Sequence, residues 1–105
     1  MITYSEADDG AAITLPVGAA FSVVLRESPT TGFRWRTVSV DAAVLNVTRD
    51  EFHSAGSQRL GAGGEHLWEF TTREPGSCVI KLSNGRGWES APAIRTFELK
   101  VNVIE

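Results

Sequence analysis

Phe97-Glu98-Leu99-Lys100-Val101-Asn102-Val103 alternates apolar and polar side chains along the longest such run in the 105-residue chain. Successive side chains of a strand point to opposite faces, so this run reads as a strand with one face in a core and one in water. The same alternation recurs upstream. Phe21, Val23 and Leu25 share one face, as do Phe33 and Trp35, then His66, Trp68 and Phe70 opposite Leu67, Glu69 and Thr71, and then Cys78, Ile80 and Leu82. Working outward gives strands near residues 12–15, 20–27, 33–39, 44–52, 65–72, 77–83 and 94–104, with a short one at 2–5. Turn chemistry separates them: Pro16-Val17-Gly18, Pro29 to Gly32, the glycines from Gly56 to Gly64, Pro75-Gly76 and Asn84 to Pro92. Residues 39–44 have the composition of one helical turn. With apolar faces to share, the strands predict an all-β chain, an immunoglobulin-like antiparallel β-sandwich of seven to eight strands. Trp35 is the candidate core tryptophan, and the cysteine pair of antibody domains is missing.

Length and charge narrow the class. Residues 1–105 are one domain's worth of chain, with no repeat or linker. A chain of this size buries roughly two-thirds of its unfolded surface and can fold without staples. No stretch approaches the roughly 20 apolar residues of a membrane helix, so no membrane partner is expected. Ten basic against thirteen acidic residues give a net charge of −3 without a basic run, which argues against nucleic acid. Cys78, the single cysteine, lies within a strand alternation and reads as a buried strand residue. Met1-Ile2-Thr3-Tyr4-Ser5 lacks the charged and apolar regions of a signal peptide. The chain is therefore expected to be cytoplasmic, or a mature exported form lacking its leader, and a monomer by default.

Strands that run up and down a sandwich send every second connection to the same end. Three connections with unusual chemistry share that placement: Ser28-Pro29-Thr30-Thr31-Gly32, the segment ending in Gly61-Ala62-Gly63-Gly64, and the one containing Arg86-Gly87-Trp88. Each has two readings. Pro29 and Gly32 suit an ordinary tight turn, although stiff β-branched threonines are unusual at a turn tip. Gly61, Gly63 and Gly64 fit a flexible hairpin end, or a place where a partner backbone approaches closely. Trp88 either caps the sandwich or stands as an exposed anchor beside Arg86, since tryptophan and arginine are enriched at binding hot spots.

Catalytic constellations do not assemble. His66 follows a strand alternation and His53 has no second ligand in reach of a metal pattern, so no metal is expected. No nucleophile sits in a motif with a base, and the adjacent carboxylates Asp8-Asp9 and Asp50-Glu51 point to opposite faces of an extended chain. The expectation is a protein that is not an enzyme and carries no cofactor.

Taken together, the three loops resemble the signature motifs of the chagasin-like inhibitors of cysteine peptidases (inhibitor family I42). In that family they read Asn-Pro-Thr-Thr-Gly, Gly-x-Gly-Gly and Arg-Pro-Trp. Phe33, Trp35 and Glu89 flank the motifs here as the corresponding residues do in the family. Order, spacing and length agree over essentially the whole chain. The resemblance implies an immunoglobulin-like sandwich that reversibly and tightly inhibits papain-like (clan CA, family C1) cysteine peptidases by wedging three loops into the cleft. It implies that residues Pro29 to Gly32 cover the catalytic Cys–His pair, with Thr30 and Thr31 closest. It places Gly61, Ala62, Gly63 and Gly64 along one side of the cleft, and Arg86, Gly87 and Trp88 on the other. Two positions depart from the family pattern: Ser28 stands for asparagine and Gly87 for proline. The second reading keeps the scaffold as an immunoglobulin-like interaction module that inhibits no peptidase.

Overall fold

The structure, a computed structural model, describes residues 2–27, 34–54, 64–85 and 94–105. Its elements in chain order are β1 (Ile2–Tyr4), a 3-10 helix (Glu6–Asp8), β2 (Ala12–Pro16), β3 (Ala20–Glu27), β4 (Arg34–Ser39), β5 (Leu45–Ser54), β6 (Gly64–Thr72), β7 (Gly76–Gly85) and β8 (Arg95–Ile104). They form two four-stranded sheets, ordered β1-β3-β6-β5 and β2-β8-β7-β4. This is the expected β-sandwich.

The antiparallel pairs β3–β6, β5–β6, β4–β7 and β7–β8 make up the body of both sheets. The first two strands add something the alternation did not specify: β1 pairs in parallel with β3, and β2 in parallel with β8. The short 3-10 helix carries the chain from one sheet to the other, and the Asp8 carboxylate accepts the Ser5 N–H at 2.9 Å to close it. Both are edge strands. One is three residues long and the other ends in Pro16, which leaves little free edge for another chain to pair with.

Alternation decides the core. Phe21, Val23 and Leu25 of β3 and Trp68 and Phe70 of β6 face Ile80 and Leu82 of β7 and Phe97, Leu99, Val101 and Val103 of β8, all buried. Phe21 and Phe70 are register partners and stack at 5.2 Å, while Trp35 meets Trp68 edge-on at 6.4 Å. Each fully buried side chain of this kind stabilises the fold by about 1.5–3 kcal/mol relative to exposure. A register shift between Thr37 and Ser39 makes Val38 an extra residue in β4, and its side chain is left exposed.

One end of the sandwich is closed by tight turns. Val17 N–H donates to the Ile104 carbonyl at 2.9 Å, and Gly18, at φ +85°, supplies the left-handed residue that lets the chain reverse into β3. Where composition suggested a helical turn at 39–44, Ser39 ends β4 and residues 41–45 form a hydrogen-bonded turn, with Val44 and Leu45 N–H groups both donating to the Asp41 carbonyl at 3.1 and 2.9 Å. Arg73 N–H donates to Val44 O at 2.8 Å and brings the β6–β7 turn to the same end.

Candidate functional site

The register fixes what lies at the other end. Glu27, the last residue of β3, is opposite Gly64, the first of β6, and Gly64 is opposite Ser54, the last of β5. In the second sheet Arg34, the first residue of β4, is opposite Gly85, the last of β7, and Asn84 is opposite Arg95 at the start of β8. Ile94 N–H donates to Asn84 O at 2.8 Å and extends that ladder by one rung. The two sheets meet here: the Trp35 indole N–H donates to the Arg26 carbonyl at 2.8 Å, and the Arg34 guanidinium lies 3.7 Å from the Glu27 carboxylate. The chain thus leaves and re-enters the described scaffold for residues 28–33, 55–63 and 86–93 from one rim.

Beneath that rim lies a polar cluster. The Glu27 side chain is completely buried, which an acidic group tolerates only when several partners surround it. Its carboxylate accepts the backbone N–H of Trp35, and His66 Nδ1 lies 3.3 Å from both of its oxygens. His66 Nε2 in turn faces the Asp50 carboxylate, and its ring stacks on Trp68 with centroids 4.1 Å apart and planes 18° apart. Arg95 lies over the Trp35 ring at 5.5 Å and reaches Glu6 at 3.7 Å, tying β8 to the same corner.

Of the residues singled out from sequence, Gly64 is described. It is buried and paired on both sides within its sheet, so it belongs to β6 instead of to a loop. Residues 28–32, 61–63 and 86–88 of the three motifs lie outside the described residues. The connections are also shorter than expected, because β5 runs on to Ser54 and β7 through Gly85, which puts His53 and Asn84 on strands. His66 is the buried sheet residue the alternation indicated, and His53 is exposed with Nε2 2.9 Å from Glu51. That histidine and Arg49 hold the Glu51 carboxyl below the usual carboxylate range. No group of three or more metal-ligating side chains occurs among the described residues. Cys78 lies in β7, partly buried against the core rather than fully enclosed, and burial pushes its thiol up.

Sequence reading missed the Glu27–His66–Asp50 cluster, although a signal was there. Glu27 occupies the next inward position after Phe21, Val23 and Leu25, and His66 occupies the inward position before Trp68 and Phe70. Polar residues in core register at one end of two neighbouring strands mark a polar layer under that end.

The same scaffold recurs in solved structures. A cysteine protease inhibitor of Entamoeba histolytica, EhICP2, superposes with a TM-score of 0.87 at 20% identity, covering 98% of this chain and 95% of its own. The solution structure of Amebosin matches with a TM-score of 0.79 and 31% identity, over 98% and 97% of the two chains. PbICP-C, solved in complex with falcipain-2, gives 0.73 at 17% identity over 97% and 89%. In sequence, Amoebiasin-1 of Entamoeba histolytica is 30% identical over 104 residues, 97% of this chain and 99% of that protein. Chagasin of Trypanosoma cruzi is 28% identical over 88 residues, 80% of each. Residues 14–101 match the family described as chagasin family peptidase inhibitor I42, and the chain belongs to that family of peptidase inhibitors.

Proposed function

We propose that this chain reversibly inhibits papain-like cysteine peptidases by filling the active-site cleft with the three segments carried on its open rim. The convergence of six strand ends, Glu27 with Arg34, Ser54 with Gly64 and Gly85 with Arg95, is the observation that carries this reading. Three segments rooted side by side can act as one surface, with Pro29, Thr30, Thr31 and Gly32 entering the cleft ahead of Ser28. Gly61, Ala62 and Gly63 take one flank, next to Gly64 at the start of β6, and the two glycines, lacking a Cβ, admit a peptidase backbone to hydrogen-bonding distance. Arg86 and Trp88 take the other, with Gly87 between them. A stiff Pro-Thr-Thr segment loses little conformational entropy on docking. A plug with two flanks buries on the order of the standard 1,600 Å². The block is steric, and no bond to the peptidase is made or broken by the inhibitor. PbICP-C, a relative in fold, has been solved bound to falcipain-2, which fits the assignment.

The test is a steady-state inhibition assay on papain with the parent chain and with Trp88→Ala, each checked for an unchanged thermal unfolding transition. The reading predicts inhibition by the parent that is recovered on dilution, and a loss of about 2 kcal/mol, some 30-fold, in the variant. A Trp88→Ala chain that unfolds instead would make that residue part of the core and remove it from the surface proposed here.

A further inference from the structure

We infer that Glu27 is a positioning residue for peptidase binding, fixing the stems of the first inhibitory segment from below the rim; the inference rests on the inhibitor reading above. Three observations converge on it. First, Glu27 is a fully buried carboxylate at the last position of β3, where the chain departs for residue 28. Second, its principal partner is the backbone N–H of Trp35, one residue past the point where the chain returns at Arg34. The clamp therefore spans the two stems of one segment, and it joins the two sheets as well, since β3 and β4 belong to different ones. Third, the carboxylate is itself held. His66 approaches both of its oxygens at 3.3 Å, rests its ring on Trp68 and turns its other nitrogen to Asp50 of β5. His66 lies two residues into β6, and Asp50 lies in β5, whose end and β6's beginning are the stems of the second segment. A single buried group thus couples the bases of two of the three segments.

Chemistry explains why a charged group suits this task. A buried carboxylate without partners is strongly unfavourable, so any movement of Trp35 or His66 away from Glu27 is opposed by more than one hydrogen bond's worth of free energy. The stems consequently have one low-energy arrangement. When a binding-competent arrangement is only a fraction of the population, the apparent dissociation constant rises by the inverse of that fraction. Loss of the clamp leaves every contact with the peptidase intact once the complex has formed. The penalty accordingly falls on association and leaves dissociation alone. Truncation of a contacting side chain does the reverse, because most interface substitutions act through the off-rate.

Association and dissociation rates with papain, measured by stopped-flow and by dilution, test this on the parent chain, Glu27→Ala and Glu27→Gln. The alanine variant should associate about ten-fold more slowly with a dissociation rate within about two-fold of the parent. Glutamine keeps an oxygen that can accept the Trp35 N–H, and should recover most of the lost rate. An alanine variant that folds and associates like the parent overturns the inference, and so does one whose loss lies wholly in a faster dissociation. Should the alanine chain lose cooperative unfolding, His66→Phe decides in its place. That variant keeps an aromatic ring on Trp68 and removes the group that holds Glu27, so a parent-like association rate overturns the inference and a slowed one supports it. A parent chain that leaves papain untouched would instead bring down the inhibitor reading, and this inference with it.

Discussion

At the scale of single residues, charge and burial separate two groups that look alike in sequence. Cys78 and Glu27 both occupy inward or partly inward strand positions, yet one is quiet and the other is clamped. Burial raises the Cys78 thiol above its ordinary value, outweighing a hydrogen bond with the Asp41 backbone that favours the thiolate, so less thiolate is present at a given pH. Ellman's reagent at pH 8 should therefore react with the native protein at least about ten-fold more slowly than with the urea-unfolded chain. The native state also holds its proton over the window between the ordinary and the raised value, so this thiol's contribution to stability declines as pH rises through that window. Equal rates in native and unfolded protein would show that the thiol is open to solvent and unshifted. Glu27 was harder to read from sequence. Its place in the Phe21-Val23-Leu25 register is plain, but the partners that make a charge tolerable there come from β4 and β6. Pairings between distant strands are set by tertiary packing, which alternation within one strand does not encode.

At the scale of elements, β8 is central to its sheet, paired with β7 on one side and β2 on the other. Its inward residue Leu99 is fully buried, while Ile104 at its end is 48% exposed. Leu99→Ala should destabilise the protein by about 2–5 kcal/mol in urea titration, and Ile104→Ala should stay within about 0.5 kcal/mol. Comparable losses at both positions would contradict the assignment of faces. The period-two signal placed these strands well because it depends only on which face meets the core. Strand ends were less legible: β5 and β7 continue beyond the expected turns at His53 and Asn84, since ladder pairing to β6 and β4 favours strand where local composition favours a turn. The parallel docking of β1 and β2 was also outside the reach of alternation, which carries no information about strand direction. Residues 86–88 offer a prediction at this scale as well. Proline at position 87 would fix φ beside Trp88 and reduce the conformational entropy lost on binding, so Gly87→Pro should tighten papain inhibition by several-fold, the equivalent of about 0.4–1 kcal/mol. An inhibition constant that rises instead would mean that the glycine backbone conformation is itself needed.

For the molecule as a whole, topology turns local sequence into a possible surface. The sandwich sends tight turns at 17–19, 41–45 and 73–75 to one end and the six stems of the motif-bearing segments to the other. The convergence of those stems was legible beforehand, because up-and-down strands return every second connection to the same side. The polar layer that holds the stems was not. An inhibitor that plugs a cleft as one unit must act in a one-to-one ratio and at concentrations near that of the enzyme. Titration of active-site-counted papain with the purified chain measures this directly. Activity should fall in a straight line to near zero at one equivalent; full activity persisting at micromolar excess of the chain would contradict a cleft-plugging inhibitor.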